Sequence, residues 1–201
     1  LYGRVYAPLM TLAWLAAITE RVALGTSIVI VPLHHPVHLA KEAATLQELS
    51  GGRLRLGLGI GWHEDEFRFI GAPFRGRGRR ADEAVRLMQA LWRGERSFAG
   101  EHWSFEGASF APLPEPEPEL WFGGSSERAV QRTLEHGGVW HPSRGGDAER
   151  VRVVKREHPE LTTVPRTRLE NVDEVLDAGA DGVVVTLPDE DAMRDFVRRY
   201  R

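Results

Sequence analysis

Several short stretches combine residue types that chemistry can use. In "LWFGGSSERAV", residues 120–130, Gly123, Gly124, Ser125 and Ser126 stand between an apolar run and a helical pattern. Free backbone N–H groups and hydroxyls at a helix N-terminus suit a phosphate. A plain N-cap serine with Arg128 out in water is the competing reading. In "GLGIGWHEDEF", residues 57–67, glycine recurs at every second position, Gly57, Gly59 and Gly61, and the run ends on Trp62 and four polar groups. Glycine weakens a strand interior, so a face of three implies close approach to that backbone. The spacing G-x-G-x-G along a strand is not the dinucleotide fingerprint, which crosses a turn into a helix. His63 and Asp65 are candidate acid–base groups, although Glu64, Asp65 and Glu66 also fit a solvated first helical turn, where carboxylates complement the dipole.

Three further stretches are more ambiguous. "GTSIVIVPLHHPVH", residues 25–38, gathers His34, His35 and His38. No carboxylate stands at zincin spacing and Pro36 suits a first helical position, so the stretch reads as a strand-to-helix loop with no metal. "RGRGRR", residues 75–80, puts arginines at a helix start against its dipole, where an anion or Asp82 and Glu83 would compensate. "GVWHPS", residues 138–143, offers His141 as a base or as a satisfied loop residue, with Trp140 able to wall a pocket.

The elements that must position these residues alternate between helix and strand. Leu12, Leu15, Ala16 and Thr19 share one face of a helix at about 9–20, followed by β-branched "RVALGTSIVIV" at 21–31 and a helix that ends at Gly51 and Gly52. After the glycine-striped strand, a helix at about 79–93 carries Ala81, Ala84, Val85, Met88, Leu91 and Trp92 on one stripe. "SFAGEHWSFEGASF", 97–110, reads as a hairpin outside the repeat, and "PLPEPEPE" as an extended polyproline-like spacer. The alternation then resumes: strand 119–124, helix 125–136, strand "GGVWHP", helix near 147–157, a weak strand "LTTVP", a helix at about 171–178, strand "DGVVVTL" and a helix from about 189. Strands separated by helices pair in parallel through right-handed crossovers. The fold class expected is therefore α/β, and a (β/α)8 TIM barrel is favoured over an open doubly wound sheet. About six strands are present, so the N-terminal β-α-β unit of such a barrel is expected to be missing, and the opening in mid-pattern suggests an excerpt.

Composition narrows the function classes. The chain has 201 residues with 26 basic and 29 acidic side chains and a formal net charge of −3, so one domain is the default and no global field favours nucleic acid or an anionic membrane. It has no cysteine, which excludes thiol catalysis, thiolate metal sites and disulfides, and fits a cytoplasmic protein whose redox chemistry would need a cofactor. The apolar stretch "APLMTLAWLAAI" reads as a helix of a soluble fold, not a signal segment.

Taken together, "ERVALGTSIVIVPLHHPVHLAKEAATLQELSGGRLRLGLGIGWHEDEF", "GAPFRGRGRRADEAVRLMQALW" and "PELWFGGSSERAV" resemble the bacterial luciferase-like flavin superfamily, within it the coenzyme-F420-dependent oxidoreductases most closely, over roughly residues 8–145. The resemblance implies a (β/α)8 barrel and a backbone bulge at "GTSI", often with a non-proline cis peptide, that sets Thr26, Ser27 and Ile28 against the ring of the cofactor. It likewise assigns Gly59, Gly61, Trp62 and Asp65 to the ring and ribityl region and Gly123, Gly124, Ser125 and Ser126 to the phosphate. The implied activity is hydride transfer between the deazaflavin F420 and a small organic substrate, with His63, Asp65 and His141 as the titratable candidates. The alternatives are an FMN-dependent monooxygenase on the same fold and a cofactor-free barrel acting as a structural or interaction protein. A homodimer is also implied; nucleic acid and membrane are not.

Overall fold

The computed structural model describes residues 5–142 and 148–200, and its contacts divide the chain into two compact units, Leu1–Gly123 and Gly124–Arg201. In the first unit, helix α1 (Pro8–Ile18) precedes two short strands, β1 (Leu24–Gly25) and β2 (Val29–Ile30), then helix α2 (Pro36–Leu49) and strand β3 (Leu54–Gly59). Helices α3 (Glu64–Ile70) and α4 (Arg77–Trp92), hairpin strands β4 (Ser97–Ala99) and β5 (Ser104–Glu106), and strand β6 (Glu119–Gly123) complete it. In the second unit, α5 (Glu127–His136), β7 (Val139–His141), α6 (Ala148–Glu157), β8 (Arg166–Thr167), α7 (Val172–Asp177), β9 (Val184–Val185) and α8 (Glu190–Arg199) alternate. The expected start of α6 at 147, and Ser143, lie outside the described residues.

The α/β class and the parallel pairing read from the sequence are observed. Strands β1 and β2 both pair in parallel with β3, β3 pairs in parallel with β6, and β8 with β9. Strand β3 is central to the first unit because its two faces do different work. Leu54, Leu56 and Leu58 are buried in the core, each contributing about 1.5–3 kcal/mol, while Arg55 pairs across the ladder with Glu119 at 2.7 Å, directly opposite in register. The stripe expected on α4 is buried as a whole. Arg53 fixes the end of α1 by donating to the carbonyls of Ala16, Thr19 and Val22, which supplies partners for orphan C-terminal groups of a helix with no basic residue in its last turn.

Three expectations are corrected. The strand read at 21–31 is broken into β1 and β2. Gly25 pairs with Arg55 and Val29 with Leu58, so four steps on one strand oppose three on the other, a bulge of one residue. The weak strand at 161–165 is displaced to β8, leaving an isolated bridge from Trp140 to Thr163. The proline-rich run 112–118 contains cis bonds at Ala111–Pro112 and Glu115–Pro116, and Gln47 donates to the Pro116 carbonyl while accepting from Leu54 N. The hairpin forms where it was expected, with Phe98 and Phe105 stacked across it at 6.0 Å. Among the described residues no helix is long and apolar enough to cross a membrane.

Candidate functional site

The bulge and the glycine stripe turn out to be one construction. Thr26 is buried, its amide donates to the Arg55 carbonyl at 3.1 Å, and its hydroxyl donates to the Gly57 carbonyl at 2.9 Å. The Ser27–Ile28 peptide is cis. A Cβ at Gly57 would lie 1.9 Å from the Thr26 carbonyl oxygen, one at Gly59 would lie 1.9 Å from Ile28 Cδ1, and one at Gly123 would lie 2.9 Å from the same atom. The close approach demanded by the stripe is therefore made by the chain's own bulge. The space over Gly59 is filled by the Ile28 side chain, because the bulge folds Ile28 over the glycine face.

The end of this strand turns sharply. Gly61 has φ +74°, and a Cβ there would approach Ile30 Cγ2 at 2.8 Å and Phe67 Cε2 at 2.9 Å, so both backbone and packing require glycine. Trp62 is exposed and meets His63 edge-on at 5.2 Å. His63 is the N-cap residue of α3 but makes no side-chain cap, and its Nδ1 is buried without a hydrogen-bond partner; so is Glu66 Oε2. Asp65 is engaged differently: its Oδ1 accepts from Arg68 at 2.9 Å on the solvated face of the same short helix.

In the second unit, Ser126 is the N-cap of α5, its hydroxyl oxygen accepting from Ala129 N at 3.3 Å. That resolves the two-serine ambiguity, since the neighbouring Ser125 Oγ is buried with no partner. Gly124 has φ +117°, and its carbonyl accepts from Trp140 Nε1 at 2.9 Å, so the fully buried indole holds the loop from below. Arg128 pairs with Glu135 at 3.3 Å.

His141 is fully buried, with Nδ1 2.5 Å from the Val164 carbonyl. That geometry puts the proton on Nδ1. Burial holds its pKa below the usual histidine range against the raising effect of the Val164 bond, and Arg166 lowers it further, so the imidazole is neutral at pH 7. His35 and His38 meet edge-on at 5.9 Å around Pro36 at the start of α2, and no cluster of three metal-ligating side chains occurs among the described residues.

Two residues that matter here were not read from the sequence. Arg77 lies in the arginine run but donates from Nε to the Gly61 carbonyl at 2.9 Å. Glu83, read with Asp82 as compensation for the arginines of that run, is buried and accepts from the backbone N–H groups of Glu101, His102 and Trp103, at 3.1, 2.8 and 2.9 Å. Neither partner is at helical spacing, so no local pattern could have indicated them.

Parallel β-α-β succession, a bulged strand beside a glycine-striped one and a glycine–serine loop opening a helix define the class as a parallel β/α protein. The family model described as luciferase-like monooxygenase matches residues 2–158, and the chain belongs to that family. The oxygenase component of the flavin-dependent trigonelline monooxygenase of Acinetobacter baylyi is 32% identical over 134 residues, 65% of this chain and 37% of that protein. The FMNH(2)-dependent dimethylsulfone monooxygenase of Pseudomonas putida is 32% identical over 144 residues, 69% of this chain and 39% of that protein. The chain thus spans well under half the length of either. Among solved structures, an F420-dependent secondary alcohol dehydrogenase in complex with an F420-acetone adduct matches with TM-score 0.73 at 16% identity, covering 98% of this chain and 76% of that one. Monooxygenase RslO1 from Streptomyces bottropensis matches with TM-score 0.71 at 23% identity, covering 86% and 59%. These two likenesses show the shared fold.

Proposed function

We propose that this chain is the cofactor-holding part of an oxidoreductase that passes hydride between coenzyme F420 and a small organic substrate. The observation that carries the reading is Ser125 Oγ, buried and unpartnered one residue before the N-cap of a ten-residue helix. A buried hydroxyl left unsatisfied costs about 1–3 kcal/mol, and a phosphate oxygen accepting from it would remove that cost. Each unit carries by itself part of what a planar, phosphate-bearing cofactor needs: in the first, Thr26, Ser27, Ile28, Gly61 and Trp62 would hold a ring and ribityl chain, and in the loop that opens the second, Gly123, Gly124, Ser125 and Ser126 would hold a phosphate. Gly59 would act from beneath, by seating Ile28.

When bound, the cofactor supplies the redox chemistry, accepting or donating the hydride. The chain's part is to orient the ring, with Ile28 braced on a rigid glycine strand, and to handle a proton. Of the three titratable candidates, His63 is the one whose ring nitrogen is buried and uncommitted; Asp65 is engaged by Arg68 and His141 by Val164. His63 is accordingly assigned the proton-handling role.

FMN is the second reading, favoured by the two flavin-dependent relatives at 32% identity. Equilibrium binding of F420 and of FMN, each followed by fluorescence, separates the two, with oxygen uptake in the presence of FMNH2 as the second readout. Tight F420 binding without oxygen uptake supports the first reading. FMN binding with oxygen uptake replaces it by the monooxygenase, and binding of neither moves the chain to a cofactor-free role.

A further inference from the structure

The turn that delivers Trp62 and His63 is clamped from two sides. On one side, the Phe67 ring packs against the α-carbon of Gly61, where a Cβ would be 2.9 Å from Phe67 Cε2. On the other, Arg77 Nε donates to the Gly61 carbonyl at 2.9 Å. The Arg77 guanidinium lies over the Phe74 ring at 3.9 Å from its centroid, and Nη1 donates to the Phe74 carbonyl at 3.4 Å. Phe74 in turn meets Phe67 edge-on at 5.1 Å. The two arms of the clamp are thus joined through an aromatic pair, and Arg77 closes the loop from the first turn of α4 back to the end of β3.

The other arginines of the run are placed differently. Arg75 and Arg79 are exposed, and Arg80 turns to the hairpin, 5.1 Å over Trp103 and 3.3 Å from His102 Nδ1. One arginine of the "RGRGRR" run is therefore committed to the strand end.

We propose that Arg77 is a positioning residue for His63. By fixing the Gly61 carbonyl it fixes the plane of the Gly61–Trp62 peptide, and through that plane the direction in which the His63 imidazole leaves the chain. The role rests on the assignment of His63 as the proton-handling group, and it depends on shape as well as charge. A guanidinium can stack flat on Phe74 while donating in its own plane to Gly61; an ammonium cannot do both.

The test compares Arg77→Lys, Arg77→Ala and Arg79→Ala, the last removing an exposed cation from the same helical turn. The first readout uses the ligand-free protein: the imidazole ¹⁵N and ¹³C NMR signals of His63 at one fixed pH, assigned by their loss in His63→Gln. Both Arg77 variants are expected to shift these signals, and Arg79→Ala to leave them in place. The second readout is affinity for F420 and FMN, expected to weaken about tenfold in both Arg77 variants for whichever cofactor the wild type binds. Unchanged His63 signals in a folded Arg77→Lys or Arg77→Ala protein would overturn the proposal, as would recovery of the wild-type spectrum by lysine, which would make charge alone sufficient for the effect. Should both Arg77 variants fail to fold, Phe74→Leu removes the stack without touching the charge, and the same two outcomes apply to it. If the wild type binds neither cofactor, the functional reading fails, while the NMR arm still decides whether Arg77 positions His63.

Discussion

Two glycine-rich segments look alike in sequence and differ in the polar group that stands beside them. Along β3 and its end, Gly57, Gly59 and Gly61 each have an atom of the chain itself within 3 Å of where a Cβ would be: the Thr26 carbonyl, Ile28 Cδ1 and Ile30 Cγ2. In the loop 123–126 the glycines are also approached by the chain, Gly123 by Ile28 Cδ1 at 2.9 Å and Gly124 by Ala129 Cβ at 3.1 Å from where a Cβ would be, but the serine beside them keeps a buried hydroxyl with no protein partner. The first segment is closed by self-packing; the second ends in an unsatisfied polar group. Glycine alone therefore says that something comes close, and the neighbouring polar group says whether that something belongs to the chain.

The largest expected effects come from opening the closed segment. Gly57→Ala drives a methyl into backbone, 1.9 Å from the Thr26 oxygen and 2.9 Å from its carbon, where no side-chain rotation gives relief. Overpacking of this kind costs about 3 kcal/mol or more, and urea denaturation should show it. Gly59→Ala meets only the far end of Ile28, so a smaller loss is expected. Adding Ile28→Val, which deletes Cδ1, should recover most of it. If the double variant is no better than the single, Ile28 is not what Gly59 accommodates.

Gly100 obeys the same rule with a charged neighbour, since a Cβ there would lie 2.1 Å from Glu83 Oε1. Burial pushes the Glu83 carboxyl up, but the backbone N–H groups of His102, Trp103 and Glu101, helped by the His102 ring, hold it below the ordinary value of 4.5. A carboxyl depressed on folding stabilises fully above its unfolded value, and that contribution is lost as pH falls from about 4.5 through the lower folded value. Glu83→Gln should cost about 2 kcal/mol at pH 7, and its stability should fall less steeply than wild type in that acid window. Parallel pH slopes for the two proteins would show that the hairpin does not depend on the ionised carboxylate.

Next come the two adjacent serines, which the comparison separates. Ser126→Ala removes an N-cap and should lower stability by about 1 kcal/mol. Ser125→Ala removes a hydroxyl that has no partner, so stability should hold or rise slightly, while affinity for the phosphate-bearing cofactor drops roughly tenfold. Loss of stability without loss of affinity in Ser125→Ala would mean that the hydroxyl serves the fold.

These contrasts also mark where reading the sequence stops. The stripe on α4 was readable because Ala81, Val85, Met88 and Trp92 repeat at helical spacing, and the helix was placed within two residues of Arg77–Trp92. The break between β1 and β2 was not, since Thr26, Ser27 and Ile28 carry no turn signal and Thr and Ile favour strands; only the resemblance implied a bulge there. Which serine caps α5 depends on a one-residue choice of helix start that two identical neighbours leave open. Glu83 read as compensation for the neighbouring arginines because its partners, in the hairpin turn, are tertiary. The glycine stripe announced a close approach but not its source, because the Ile28 side chain reaches it only after the bulge has formed.

The smallest expected effect concerns Asp65. Its sequence position, three residues after Trp62 in the strand-end loop, made it a candidate for both cofactor binding and catalysis. Its carboxylate instead pairs with Arg68 at the next turn, and both side chains are well exposed, at 49% and 72%. Such a pair contributes about 0.2–1 kcal/mol and is screened by salt. Asp65→Ala should therefore change stability by less than about 0.5 kcal/mol, and leave cofactor affinity and turnover at wild-type levels, in contrast to His63→Gln two residues earlier. A loss of affinity on the scale of Ser125→Ala would show that Asp65 leaves Arg68 when the ligand arrives. The open character now assigned to the serine loop would then extend to the end of β3, where the glycines themselves are closed.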